Sequence, residues 1–221
     1  MYPAVQTYWL GPTDTIAWGL RRYSSRDDHT GFDCENGYHR SLIYLERQPA
    51  AWKEEGGRRS LAYRPRIPED DPRWPKVCSY CNGYEFCPGD TWQDWQELIY
   101  RRPDTGQEYV LHNDAGADSI GIPSAPPGAM WDAWWMPSAW KRPDGIYLMV
   151  RLPNSHDWAV DSEASNCTRK GETHECWVRH GDPREAHVTV DKNGDTCGAG
   201  AGSIQGADYH GFMQNGMLTA G

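Results

Sequence analysis

Cys78-Ser79-Tyr80-Cys81 carries the strongest chemical signal in the chain. Two cysteines three positions apart place two thiolates on one side of a tight turn. That suits a tetrahedral zinc ion with Zn–S distances of about 2.3 Å. Cys34 and His39, inside GFDCENGYH, form a second ligand-like pair, and Cys87 follows Cys81 at close range. Two donor sets satisfy a four-ligand site: Cys34, His39, Cys78 and Cys81, or Cys78, Cys81 and Cys87 with a histidine. The first is preferred, because it ties two distant segments together in a first half with little aliphatic core. A redox role for the Cys-x-x-Cys pair would need a thioredoxin-like βαβ context, and the surrounding sequence shows none.

A second and less specific group comprises Cys167, Cys176, His180 and Cys197, with His174 and His187 nearby. Cys176 and His180 stand four apart in CWVRH. In a strand that spacing puts both side chains on one face, so both can reach one ion. Buried thiols and hydrogen-bonded histidines are the plainer reading of the same residues.

Other constellations fail on spacing. Asp191, Asn193 and Asp195 resemble the start of a calcium loop, but the twelfth position is Gly202, where a bidentate Glu is required. Cys197–Ser203 is glycine-rich yet has neither the Lys-Ser/Thr of a phosphate loop nor the spacing of a dinucleotide fingerprint. Ser203 is not framed by the glycines of a nucleophile elbow. The adjacent carboxylates Asp27–Asp28 and Asp70–Asp71 diverge in direction and read as solvated charge. No catalytic residue is assigned. Trp131, Trp134, Trp135 and Trp140 form an aromatic cluster suited to a protein interface, to sugar or base stacking, or to a core.

The elements that must position these residues read as a mixed chain. Residues 1–30 are polar and turn-rich. Ser41–Glu55 is a helix candidate that Pro49 must end or kink. Thr91–Arg102 reads as the clearest helix: Thr91 is a suitable N-cap, Trp92, Trp95, Leu98 and Ile99 fall on one helical face, and two arginines close the C-terminal end. Gly56 to Pro75 is a proline-punctuated connector. Strand signals dominate from Ile146 onward, over Ile146–Leu152, Trp158–Asp161, Cys176–His180 and His187–Asp191. Asn193-Gly194 and Asn215-Gly216 read as hairpin turns. The expected fold is therefore α+β, with a helix-containing, zinc-knuckle first half (1–110) and a β-meander second half (111–221).

Composition excludes several classes of function. The 221 residues carry a formal charge of −9, and both halves are acidic, with 14 Lys/Arg against 17 Asp/Glu in 1–110 and 8 against 14 in 111–221. Neither half offers the basic field that nonspecific nucleic-acid binding needs. No apolar run approaches the roughly 18 residues of a membrane span. Met1 to Leu10 lacks the pattern of a signal peptide, and seven cysteines is an odd number for a disulfide framework. A reducing compartment, the cytosol of a cell or of a virus-infected cell, is the expectation. Twelve Trp and twelve Tyr against three Phe point to half-buried aromatics whose polar tips need partners.

Gly200–Gly221, GAGSIQGADYHGFMQNGMLTAG, resembles the ending of a small uncharacterised domain family of bacteriophage genomes, whose members finish in a PSI…HGFI-x-DG-x hairpin. Ser203-Ile204, His210-Gly211-Phe212 and Asn215-Gly216 carry the likeness, and Trp158 and Cys167 echo an upstream tryptophan-rich strand and cysteine pair. Gly202 departs from the family proline. The likeness covers about 60 residues and implies a phage origin and a β-domain, with no activity to transfer. The expected function is a zinc-stabilised structural or accessory protein contacting protein partners in an assembly such as the virion. The alternatives are a zinc-dependent hydrolase or nucleic-acid-modifying accessory enzyme, and a carbohydrate-binding module built on the tryptophan-rich loop.

Overall fold

Long β-strands, not helices, organise the first half. In the computed structural model 44% of the chain is strand and 4% helical, with no α-helix among the described residues, which overturns the α+β expectation. The structure describes residues 2–24, 34, 39–62, 68, 70–87, 91–112, 120–197 and 202–221, with the side chains of 42–45 and 91–94 left undescribed. Asp27, Asp28, Gly198–Ala201 and the first part of the Asp114–Met136 loop lie outside those residues.

Strand β1 (Val5–Gln6) and strand β2 (Tyr8–Trp9) lead into β3 (Gly11–Ser24), which is the spine of the first half. On one side β3 pairs antiparallel with β4 (His39–Pro49), in a register running from Thr15 opposite Pro49 to Ser24 opposite His39, with a bulge at Trp18/Gly19. A small hairpin follows, β5 (Trp52–Glu55) with β6 (Arg58–Leu61). The other side of β3 is covered by β7 (Thr91–Arg101), and β7 is extended by β8 (Glu108–Tyr109).

Both expected helices are therefore strands, and the reason is long-range pairing. Leu98, Ile99 and Tyr100 are all buried, which one helical face cannot explain. In β7, Leu98 and Tyr100 face the cluster of Ile16, Trp18 and Leu20, while Ile99 points the opposite way to meet Ala17, Val110 and Ile122. A strand buried on both faces carries consecutive apolar residues, and over a short window these imitate a helical stripe. Aromatic and β-branched side chains then favour the pleated surface that β3 offers. Pro49 closes β4 at a strand end, where its missing N–H costs nothing.

The second half supplies two further sheets. β9 (Ala129–Asp132), β10 (Leu148–Arg151) and β11 (Asp157–Ala159) form one with β2, which runs parallel to β9. β12 (Val178–His180) and β13 (Thr189–Asp191) make a short ribbon. β14 (Ile204–Gly206), β15 (Tyr209–Gln214) and β16 (Met217–Ala220) form the last sheet with β1. The expected turn at Asn215-Gly216 joins β15 to β16. Two pairings, β1 with β16 and β2 with β9, cross position 110 and join the two halves.

The β9–β10 sheet lies between two cores, and its sequence alternates accordingly. Ala129, Trp131 and Met149 face the β3–β7 side. Met130, Leu148 and Val150 face Ile204, Tyr209, Met213 and Leu218 of the last sheet. This layering holds two loop regions at the periphery, residues 74–87 and 160–177, and these carry five of the seven cysteines, with Cys34 and Cys197 brought to them from elsewhere in the chain.

Candidate metal centres

Each peripheral loop region brings three cysteines and one histidine together. Ligand atoms of Cys34, His39, Cys78 and Cys81 all lie within 4.8 Å of one another, and so do those of Cys167, His174, Cys176 and Cys197.

In the first centre, His39 begins β4 and is 1% exposed. Its ring stacks on Tyr84 at 4.0 Å and 4°, and its Nδ1 lies 3.5 Å from Sγ of Cys81. The Sγ atoms of Cys34 and Cys78 are 3.7 Å apart. The knuckle is closed by backbone bonds: Cys78 N–H donates to the Tyr84 carbonyl and Asn82 N–H to that of Cys78. Ser79 docks the turn on β4 by donating its N–H and its hydroxyl to the Arg40 carbonyl, at 3.0 and 3.2 Å. Arg22 of β3 clamps the same loop, giving 2.8 Å hydrogen bonds to the carbonyls of Pro75 and Cys87 beneath the Phe86 ring. The loop is thus held to the long sheet from two sides.

The electrostatics divide these thiols. Burial and the neighbouring Cys78 push the Cys34 thiol up to about 11. For Cys78, burial alone pushes upward, but backbone N–H groups of Cys81, Tyr80 and Arg40 aimed at its sulfur bring the thiol below its ordinary value. A ring of amides around a buried sulfur favours the thiolate, and a divalent cation deprotonates the remaining thiols it binds. Cys87 is exposed and does not join the cluster; its sulfur lies near the Glu85 carbonyl at 3.9 Å.

The second centre is built from a turn-rich loop and the chain after β13. His174 Nε2 lies 3.2 Å from Sγ of Cys167 and 3.6 Å from that of Cys176. Sγ of Cys197 is 3.6 Å from Sγ of Cys176. Nδ1 of His174 lies 3.0 Å from the Glu172 carbonyl. A proton there leaves Nε2 as the ligand atom, the usual way an outer partner sets an imidazole tautomer. Ala164 N–H donates to Sγ of Cys176 and Arg169 N–H to that of Cys167. A bridge between Glu175 and Thr196 brings the two segments side by side. Burial pushes the Cys167 thiol up to about 12 and raises that of Cys176.

The histidine of this centre differs from the one expected. His180 sits at the exposed end of β12, with Nε2 2.9 Å from Asp191. The strand begins at Val178, so Cys176 lies outside it and the same-face argument does not reach Cys176. The available signal was His174-Glu175-Cys176, a histidine two positions from a cysteine in a turn-rich stretch. Asp191 and Asp195 are engaged locally, the first by Asn193 N–H and the second by Arg169.

Comparison with protein-family models, with curated proteins and with solved structures finds no match. The centres therefore stand on their geometry alone.

The tryptophan cluster separates by depth. Trp131 is 1% exposed and belongs to the core, and Trp134 is half-buried with its Nε1 donating to Tyr100 Oη at 2.8 Å. Trp135 and Trp140 are exposed at 37% and 59%. Beside the second centre lies a cleft of about 730 Å³ bordered by His174, Cys176, Glu163, Glu175 and Arg142.

Proposed function

We propose that this chain is a zinc-stabilised structural or accessory protein in which two Cys₃His centres hold the loops of a β-rich scaffold that contacts protein partners. One observation carries the reading: in each centre the ligand atoms that lie within 4.8 Å of one another, among the described residues, belong to three cysteines and one histidine. That donor chemistry selects zinc over magnesium or calcium, and four protein ligands complete a tetrahedron with no position left for a reacting water. The scaffold needs such fastening where its aliphatic core is thin: Cys78, Tyr84 and Phe86 form a small cluster of their own, as do Ala164 and the three cysteines of the second centre. Elemental analysis of the purified chain tests the assignment. Two zinc ions per chain, lost together with near-ultraviolet dichroism on chelation, are expected; an iron signal, or no bound metal, sinks it.

Participation in a phage assembly such as the virion rests on the likeness of residues 200–221. Mass spectrometry of purified particles tests that step separately. No helix among the described residues is long and apolar enough to cross a membrane.

A second reading, a zinc-dependent hydrolase, draws on the cleft beside His174 and Cys176. It requires one protein ligand to yield to water. Cobalt substitution distinguishes the two, because a closed S₃N site keeps its tetrahedral spectrum when anions are added. The carbohydrate reading gains no support from the paired tryptophans, since Trp134 and Trp135 cross at 88°, and Trp52 and Trp134 at 79°.

A further inference from the structure

A separate cleft of about 420 Å³ lies between β7 and the turn after β9, away from both cysteine clusters. Its walls include Trp95, Glu97, Leu98, Tyr100, Trp134 and Trp135. The crossing of Trp134 and Trp135, with ring centroids 5.4 Å apart, makes a corner of two aromatic surfaces. The corner is set before any ligand arrives, since Trp134 is bonded to Tyr100 and braced on its flank by Trp52 at 5.1 Å. Perpendicular rings stack poorly on a sugar, but they present electron-rich faces to a cation from more than one direction. Charge agrees with shape. Among the described lining residues there is one carboxylate, Glu97, and no Lys or Arg. Glu97 is held in place by accepting the His112 N–H. Elsewhere in the chain guanidinium groups already sit on aromatic rings, with Arg59 Cζ 3.6 Å from the Trp52 centroid and Arg102 Cζ 4.3 Å from that of Tyr8. The chain as a whole carries −9, which draws basic partners toward it.

We propose that this cleft binds the cationic side chain, arginine or lysine, of a basic segment on a partner protein. The inference rests on the scaffold reading and names the chemistry of its partner. The volume suits one long side chain rather than a folded element, so the expected contact is a single anchored residue flanked by backbone.

The test uses the full zinc-loaded chain labelled with 5-fluorotryptophan. It is titrated with acetyl-Gly-Arg-Gly-amide, with the lysine equivalent, and with a citrulline version that keeps the shape and loses the charge. Saturable fluorine shifts confined to a few tryptophans are expected for the charged peptides, with the citrulline peptide weaker by about tenfold or more. Trp135→Ala removes an exposed wall, and Glu97→Gln removes the charge. Each is expected to weaken binding roughly 3- to 30-fold. Equal binding of the citrulline peptide, no shift with any peptide, or the same shifts produced by a methyl pyranoside overturns the proposal. Tighter binding of tetramethylammonium than of either peptide also overturns it, by pointing to a small free cation. If a variant fails to fold, the citrulline comparison on the unaltered chain still decides. Zinc content of the same sample is read independently, so a chain holding two ions but binding no cation sinks this inference and leaves the scaffold reading intact.

Discussion

Nε of Arg179 lies 3.0 Å from Oδ1 of Asp161, and both side chains are almost fully buried, at 4% and 1% exposed. Arg142 reaches the same carboxylate at 2.9 Å and also pairs with Glu175, the neighbour of Cys176. Arg179 continues to Asp144 at 2.7 Å, and Asp161 accepts the Leu148 N–H. A charge network, buried at Arg179 and Asp161 and partly exposed at Arg142 and Glu175, thus joins the second centre to β10. Asp161→Asn removes the buried carboxylate that Arg142 and Arg179 share, leaving them Glu175 and Asp144 as partners, and a loss of about 2 kcal/mol in urea unfolding is expected from the broken buried pair. A loss below about 1 kcal/mol would show that water replaces the carboxylate without strain.

The two centres draw on separate segments, so their metals are expected to be independent. Cys78→Ser should lower zinc content from two ions per chain to one, and Cys176→Ser should remove the other. Loss of both ions from either variant would show that the centres fold as one unit. The measurement is metal content after gel filtration.

His174→Ala and His180→Ala separate the histidine found beside the cysteines from the one the strand argument favoured. The first is expected to release the second-centre ion, and in cobalt-substituted protein to reduce the tetrahedral absorption by about half. The second removes only an exposed contact to Asp191, and metal content should stay unchanged.

Acid sensitivity is expected at Glu108. Its hydrogen bond from Arg101, opposed by burial and aided by Arg47, holds the carboxyl below its ordinary 4.5. A carboxyl depressed in the folded state stabilises above its unfolded value and loses that stabilisation as pH falls through the folded value. The pair ties β4 and β7 to β8, with Arg47 and Arg101 partly exposed, so its contribution is about 1 kcal/mol or less. The stability gap between the wild type and Glu108→Gln should shrink over the range of pH below the ordinary 4.5. A gap unchanged across that range would rule out the ion pair as its source.

Gly216→Ala tests the final hairpin. Gly216 adopts φ +73°, and a Cβ there would meet the Ala186 carbonyl oxygen at 1.9 Å. The backbone itself must move, so a loss of roughly 2 kcal/mol or more is expected in thermal unfolding at constant zinc.

The sequence by itself determined the chemistry of the donors and the position of the last hairpin turn, though not of the one expected at Asn193-Gly194, where β13 pairs back with β12. Cysteine and histidine types, the Cys78–Cys81 spacing and Asn215-Gly216 are properties of a few adjacent residues, and a tight turn needs nothing from the rest of the chain. Ile16, Trp18 and Leu20 do alternate at the strand period, but the polar, turn-rich character of residues 1–30 hides that short signal. Only the tertiary structure decided that Thr91–Arg101 is a strand, because its apolar residues fit both periods and the choice came from the surfaces β3 and Val110 present on its two sides. The structure alone likewise put His174, not His180, beside three cysteines. Which donors converge depends on strand pairings that join residues far apart in the chain, and such pairings leave no mark on local spacing.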